Sequence, residues 1–130
     1  MRPVIAPFRP EPGRRIIAIS DIHGNLPFFD NLLRKIEFSP KDILVLLGDI
    51  LEKGAQSLEL ARYVLELQKT HTIYPVCGNC DGYVLRFLEN GAWDQGFFSW
   101  FLPQHPESIL RQMAREGGFD LILLDLMLPG

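Results

Sequence analysis

Short apolar runs alternate along the chain with longer stretches in which apolar residues recur at helical spacing. Three runs have the length of β-strands: residues 16–20, 43–47 and 73–77. The first two are almost continuously apolar, a composition typical of parallel strands that are covered on both faces. The third gives a weaker strand signal. We therefore predict a mainly parallel sheet that contains these three strands.

Amphipathic helices are predicted after each of the first two strands. Apolar residues recur at helical spacing in residues 27–37 and again in residues 57–70, and Asn25 is placed to cap the first of these helices. Two strand–helix units in succession predict a parallel α/β layer. Two further helices are predicted, a short one around residues 83–88 and another over residues 106–116.

Polar side chains with ligand chemistry follow each predicted strand. Asp21 and His23 follow the first strand, Asp49 the second and Asn79 the third. Each group also fits an ordinary turn, in which Asp or Asn binds its own backbone and glycine adopts positive φ. The recurrence at three strand ends favours a shared site, because ligands bind beyond the carboxyl ends of parallel strands. Oxygen and imidazole donors suit Mn, Fe, Zn or Ni better than calcium.

The three strand ends resemble the motifs of the calcineurin-like metallophosphoesterases. Residues 21–25, Asp-Ile-His-Gly-Asn, match the family's first motif, and residues 48–54, Gly-Asp-Ile-Leu-Glu-Lys-Gly, are similar to its second, Gly-Asp-x-x-Asp-Arg-Gly. Residues 78–81, Gly-Asn-Cys-Asp, resemble the third motif of a small bacterial phosphodiesterase branch in which Cys replaces His. Order and spacing agree from about residue 16 to residue 81.

The resemblance implies a fold, a metal site and a reaction. The implied fold is α/β, with β-α-β layers and a mainly parallel sheet, incomplete relative to the family's two-sheet sandwich. The implied reaction is hydrolysis of a small phosphorylated substrate, as a phosphatase or phosphodiesterase, by water activated on two divalent ions, Mn first and otherwise Fe, Ni or Zn. The metal ligands would be Asp21, His23, Asp49 as the bridge, and Asn79. The catalytic residues would be Asp49, Asn79, Cys80 and Asp81.

Two departures from the family pattern affect the expected activity. Cys80 replaces a histidine and is a poor proton donor, because the ordinary pKa of a thiol is about 8.5; this matters less for leaving groups of low pKa. The later Gly-His and Gly-His-x-His motifs are not found in these 130 residues. His71 and His105 lack the flanking glycine, so we interpret them as a solvated loop residue and a helix N-terminal residue. We expect slow hydrolysis of an activated aryl phosphodiester and barely any of an alkyl monoester.

Length, composition and charge limit the classes of protein to which this chain can belong. The 130 residues, 47% hydrophobic and 22% charged, predict one small domain over residues 14–130 after a flexible leader over residues 1–13. We find neither the apolar core of a signal peptide nor a run long enough to span a membrane, so we expect a cytoplasmic protein without a membrane partner. The net charge of −3, with no basic cluster beyond Arg14 and Arg15, argues against a stable nucleic-acid partner.

Alternative interpretations remain open at this point. Cys77 and Cys80 have the spacing of a redox or zinc pair, which we favour less because the residues between them belong to another motif. Aromatic residues within 93–101 suit a core or a homo-oligomer surface. Residues 119–130 weakly resemble a response-regulator receiver strand with Asp125 as acceptor, and an ordinary apolar strand is the simpler interpretation. The alternative functions are therefore a catalytically impaired metal-binding fragment and a signalling fusion.

Overall fold

Strands and helices alternate in the computed structural model, which describes residues 9–51, 56–91, 111–112 and 114–116. The elements, in chain order, are β1 (Ile16–Ile19), α1 (Leu26–Lys35), β2 (Ile43–Leu47), α2 (Ser57–Gln68), β3 (Thr72–Val76) and α3 (Asn79–Asn90). The predicted α/β class and the three predicted strands are confirmed, with strand ends shifted by no more than one residue.

The three strands form one parallel sheet in the order β1-β2-β3. Ile16 lies opposite Ile43, and Ile43 lies opposite Thr72, so the strands start level with one another. Each connection between neighbouring strands crosses over through a helix, as parallel pairing requires. The carboxyl ends of all three strands therefore meet at one edge of the sheet, where the loops after β1, β2 and β3 emerge.

One face of the sheet carries the core. Alternate strand residues such as Leu44 and Leu46 are fully buried, and they belong to the same apolar cluster as Phe29 of α1 and Val64 of α2. Both crossovers run in the same direction along the sheet and share one hand, so α1 and α2 lie on the same side and contact each other.

The opposite face corrects one prediction. We expected the strands to be covered on both faces, but three apolar residues that point away from the helices are exposed: Ile16 by 49%, Leu47 by 48% and Tyr74 by 38%. The two crossovers have the same hand, so α1 and α2 lie on one face of the sheet and neither covers the second face.

Helix boundaries follow from local capping. The Asn25 side chain accepts a hydrogen bond from the Phe28 backbone N–H at 3.1 Å, so the predicted cap of α1 is confirmed. The third helix is longer than predicted, because α3 begins at Asn79, inside the third motif, and ends before Gly91, which adopts φ 74°. Asn79, Cys80 and Asp81 therefore form the first turn of a helix.

The amino ends of β1 and β2 are joined by an ion pair between the half-exposed Arg15 and the buried Asp42. The Arg15 guanidinium donates to both carboxylate oxygens of Asp42, at 3.0 and 2.8 Å, and the Ser39 backbone N–H donates to the same carboxylate at 2.9 Å. These hydrogen bonds, that from Arg15 above all, hold the pKa of Asp42 below its ordinary value. His71 lies at this edge too, stacked on Phe38 with ring centroids 5.0 Å apart.

Several predictions fall on residues outside the described part of the chain. These are most of the leader, the aromatic residues within 93–101, His105, and the tail over residues 119–130 with Asp125. Residues 111–112 and 114–116 are helical, in agreement with the helix predicted there, and Arg62 of α2 pairs with Glu116. In the described ranges, no helix is both long and apolar enough to cross a membrane.

Candidate metal centre

The loops that follow β1 and β2 run side by side beyond the sheet edge. The backbone N–H of Asp21 donates to the Gly48 carbonyl at 3.3 Å, that of His23 to the Asp49 carbonyl at 3.0 Å, and that of Gly24 to the Ile50 carbonyl at 2.8 Å. These hydrogen bonds continue the pairing of the strands into the loops. They fix Asp21 and His23 alongside Asp49, although Asp49 is far from both of them in sequence.

Asp21, His23 and Asp49 bring three ligand atoms together. One atom from each residue lies within 4.8 Å of the other two, and His23 Nε2 lies 3.3 Å from Asp21 Oδ1. Ligand atoms bind transition metals at about 2.0–2.2 Å, so adjacent ligands of one ion are about 3 Å apart. The pair formed by Asp21 and His23 already has nearly this spacing. The cluster could accept one divalent ion after small side-chain movements.

The three side chains differ in burial, and the difference suits an ion that is open to solvent on one side. Oδ1 of Asp49 is buried and has no hydrogen-bond partner among the residues that the structure describes. A carboxylate oxygen in that state is costly, and a bound cation would satisfy it. The Asp21 side chain is instead 64% exposed, while that of His23 is 24% exposed. Solvent and substrate can therefore approach from the Asp21 side, and the donor set fits a divalent ion.

The backbone is strained at all three of these residues. Asp21, His23 and Asp49 have φ values of 57°, 49° and 50°, in the left-handed region that residues with a Cβ rarely adopt. Such conformations cost on the order of 1–3 kcal/mol each and persist where surrounding contacts impose them. Strained residues of this kind cluster at functional sites, and here they coincide with the three candidate ligands.

Glycines allow the loops after β2 and β3 to approach closely. A Cβ on Gly48 would lie 2.9 Å from Gly78 Cα, and a Cβ on Gly78 would lie 2.6 Å from Asp49 N and 2.7 Å from Asp49 Oδ1. Both distances are shorter than real side chains show, so neither position accepts a side chain without movement of the backbone. The loop after β3 therefore lies directly against the Asp49 carboxylate.

The comparisons with known proteins agree with this geometry. The sequence profile of the calcineurin-like phosphoesterases matches residues 14–121. The chain belongs to this family. The match includes all three strand ends, so this phosphoesterase domain carries the family's motifs at the edge where Asp21, His23 and Asp49 meet.

Similar proteins are phosphoric ester or anhydride hydrolases by name. The symmetrical bis(5'-nucleosyl)-tetraphosphatase of Chromobacterium violaceum is 44% identical over 75 residues, which are 57% of this chain and 26% of that protein. Serine/threonine-protein phosphatase 2 of Escherichia coli K12 is 29% identical over 120 residues, 89% of this chain and 50% of that protein. The phosphoesterase chain thus spans a quarter to a half of the length of these relatives.

A solved structure shares the fold. It is the crystal structure of a protein provisionally named a diadenosine tetraphosphatase, with a TM-score of 0.60 and 24% sequence identity. The similarity covers 93% of this chain and 48% of the other. At this identity the likeness supports the phosphoesterase fold alone.

Of the side chains in the third motif, the structure describes only some. The side chains of Asn79 and Cys80 lie outside the described part of the structure, so the roles predicted for them stay predictions. Asp81 is fully buried, and its carboxylate accepts backbone N–H hydrogen bonds from Ile50, Leu51 and Gly78. Burial raises the pKa of Asp81, the three hydrogen bonds oppose that change, and the nearby charge of Asp49 adds to it.

The structure thus brings together three of the four predicted metal ligands of this phosphoesterase. His71, which was not among the predicted ligands, lies at the opposite edge of the sheet. Sequence reasoning missed the contact between Gly78 and Asp49 and the acceptor role of the Asp81 carboxylate. The available signal was that Asp81 stands near the start of a helix, where carboxylates commonly accept backbone N–H groups.

Proposed function

We propose that this chain is the metal-binding part of a metal-dependent hydrolase that cleaves phosphoanhydride bonds in small nucleotides. The observation that carries the proposal is the convergence of Asp21, His23 and Asp49 at the carboxyl ends of the strands, with the Asp49 Oδ1 buried. Membership of the calcineurin-like phosphoesterases supports the reaction class.

The residues of the chain have distinct parts in this function. A divalent ion bound there supplies a water of lowered pKa as nucleophile and positive charge for the phosphate oxygens. Asp49 contributes a buried negative charge, which is needed if two dications are to lie close together. His23 is oriented through its own backbone hydrogen bond to the Asp49 carbonyl, and the exposed Asp21 borders the side open to substrate. Asn79 would serve a second ion, and we favour Mn²⁺ for both.

The choice of an anhydride rests on the third motif. Cys80 stands where the family has a histidine, and a thiol, with its ordinary pKa of about 8.5, is a poor acid for an alkoxide leaving group. Cleavage of a phosphoanhydride instead releases a phosphate oxygen whose pKa is about 6, so it needs no proton from the protein at neutral pH. The tetraphosphatase names of relatives point to the same substrate class, a dinucleoside tetraphosphate.

A second candidate is hydrolysis of a phosphomonoester on a protein. It is favoured by one observation, the alignment of 89% of this chain with serine/threonine-protein phosphatase 2 of Escherichia coli K12. That reaction releases an alkoxide and so depends more strongly on a proton donor. The two candidates therefore differ in the leaving group that the site can handle.

The test compares substrates under defined metal conditions. We expect the purified chain with Mn²⁺ to hydrolyse diadenosine tetraphosphate fastest, bis-p-nitrophenyl phosphate slowly and a phosphoserine peptide barely. Chelation and the His23→Ala substitution should abolish hydrolysis. His71→Ala is the matched control, because it removes an imidazole at the opposite edge of the sheet and should leave the rates unchanged.

Three outcomes would contradict the proposal in different ways. Hydrolysis that survives both chelation and His23→Ala would refute the metal mechanism. A phosphopeptide rate above the tetraphosphate rate would favour the second candidate. Binding of Mn²⁺ without hydrolysis of any substrate would favour the catalytically impaired metal-binding fragment.

A further inference from the structure

The Asp81 carboxylate links the loops after β2 and β3. Its Oδ1 accepts hydrogen bonds from the backbone N–H groups of Ile50 at 3.0 Å and Leu51 at 3.1 Å, the two residues that follow Asp49. Its Oδ2 accepts a hydrogen bond from the backbone N–H of Gly78 at 2.9 Å. One fully buried side chain thus fixes the backbone directly after Asp49 relative to the start of α3.

A carboxylate is the side chain that this arrangement requires. All three partners are donors, and an ionised carboxylate is the side chain that offers only acceptors on both of its oxygens. An asparagine would have to turn its NH₂ group towards either Gly78 or the pair formed by Ile50 and Leu51. In each case a donor would face a donor, and at least one buried N–H group would lose its partner.

Gly78, which lies in the same turn as Asp81, approaches Asp49 closely. Because a Cβ on Gly78 would lie 2.7 Å from Asp49 Oδ1 and 2.6 Å from Asp49 N, the bare backbone of Gly78 forms a wall against the Asp49 carboxylate. This wall and the hydrogen bonds to Asp81 act on neighbouring parts of one loop. The contact therefore limits the directions in which the Asp49 side chain can turn.

Asp49 needs such support because its backbone has φ 50°, a conformation that a residue with a Cβ keeps only when its surroundings impose it. We infer that Gly78 and Asp81 are positioning residues that hold Asp49 in the orientation in which its carboxylate meets Asp21 and His23. The inference rests on the metal-dependent function proposed above. It gives Asp81 a role that is exerted through Asp49 and not by contact with the substrate.

The closest internal comparison is Asp42. Its carboxylate is also buried and also accepts a backbone N–H, from Ser39, but it lies at the opposite edge of the sheet with Arg15. Asp81→Asn and Asp42→Asn therefore make the same chemical change in two buried carboxylates. Both should lower the melting temperature of the metal-free protein, whereas Asp81→Asn alone should weaken metal binding.

The experiment is calorimetric titration of the full 130-residue chain with Mn²⁺, with folding checked by circular dichroism. Changes in groups that orient metal ligands typically weaken affinity about 10- to 100-fold. We expect a loss in this range for Asp81→Asn and for Gly78→Ala, which pushes directly on Asp49, and no change for Asp42→Asn. If Asp81→Asn does not fold, a loss of affinity in folded Gly78→Ala supports the inference.

Other results would overturn it. Wild-type affinity in folded Asp81→Asn and in folded Gly78→Ala would refute the positioning role while leaving the proposed function intact. An equal loss of affinity in Asp42→Asn would show a general effect of stability on binding. Failure of both Asp81→Asn and Gly78→Ala to fold would show that the turn serves the fold itself. Absence of Mn²⁺ binding by the wild type would refute the proposed function, and the inference with it.

Discussion

Replacement of Asp49 by glycine should stabilise the metal-free protein and abolish its stabilisation by metal. Three features of the structure disfavour the wild-type residue when no ion is bound. The Asp49 Oδ1 is buried without a partner in the described part of the chain, the backbone has φ 50°, and the carboxylate repels the buried Asp81. Glycine removes all three, because it has no side chain and adopts positive φ readily.

The expected change in the free energy of unfolding is the sum of the following contributions. Relief of an unsatisfied buried oxygen is worth roughly 1–3 kcal/mol, and relief of the left-handed backbone about 1 kcal/mol. The greater unfolded-state freedom of glycine opposes this by about 0.5–1 kcal/mol. A net gain of about 2 kcal/mol corresponds to a melting temperature higher by roughly 6–10 °C for a chain of this size.

Mn²⁺ should reverse the order of the melting temperatures of the wild type and Asp49→Gly. At a Mn²⁺ concentration about 1,000 times the dissociation constant, binding to the folded state adds about 4 kcal/mol, or roughly 12–20 °C, to the wild type. Asp49→Gly should gain almost nothing. The assay is differential scanning calorimetry of both proteins, once with a chelator and once with Mn²⁺. Asp49→Ala is the matched control, since it removes the carboxylate but keeps the left-handed strain. Because alanine also escapes the unfolded-state cost of glycine, its metal-free gain should lie within about 0.5 kcal/mol of that of Asp49→Gly.

Two results would refute this reasoning. If Asp49→Gly melts below the wild type in chelator, the carboxylate stabilises the metal-free fold, and the cost that we assign to its buried oxygen is wrong. If Mn²⁺ raises the melting temperature of Asp49→Gly as much as that of the wild type, the ion binds at some other place on the protein.

Two further predictions concern the scaffold. Because the pKa of Asp42 is lower in the folded than in the unfolded chain, its hydrogen bonds with Arg15 stabilise the fold above the unfolded pKa of about 3.9 and lose this effect as the pH falls through the folded pKa. Asp42→Asn should therefore flatten the fall in melting temperature below about pH 4, and an unchanged acid profile would contradict this. Asn25→Ala should cost about 1 kcal/mol in urea unfolding through loss of the cap of α1, and Asn25→Asp should restore the stability. Equal stability of the alanine and aspartate variants would show that the cap does not contribute.

The sequence predicted those parts of the fold that depend on local pattern. β2 was predicted at its observed bounds, and α1 and α2 were predicted within two residues, because apolar periodicity and the Asn25 cap are local signals. The start of α3 was missed because Asn79 looked like a strand-end ligand and not like the first residue of a helix. The exposed face of the sheet was missed because the side on which a helix packs depends on the direction of the chain crossover.

The candidate site could be predicted in its residue types but not in its geometry. Asp21, His23 and Asp49 were recognisable because each follows a predicted strand, and parallel strands end at one edge. Their left-handed backbone and the close approach of Gly78 arise from contacts between loops that are distant in sequence. Such contacts leave no periodic signal along the chain, so only the three-dimensional structure reveals them.

The left-handed backbone at Asp21, His23 and Asp49 also has a consequence for protein engineering. Glycine relieves this conformation, and at Asp49 it also removes a buried oxygen that has no partner in the described part of the chain, so a thermostability screen run without metal should enrich glycine at a residue proposed to bind it. Heat-resistant variants recovered in this way would be inert. Screens on this domain should include Mn²⁺ in the selection buffer. Variants that keep the metal ligands are then stabilised by the bound ion, so thermal stability is not gained by loss of the site.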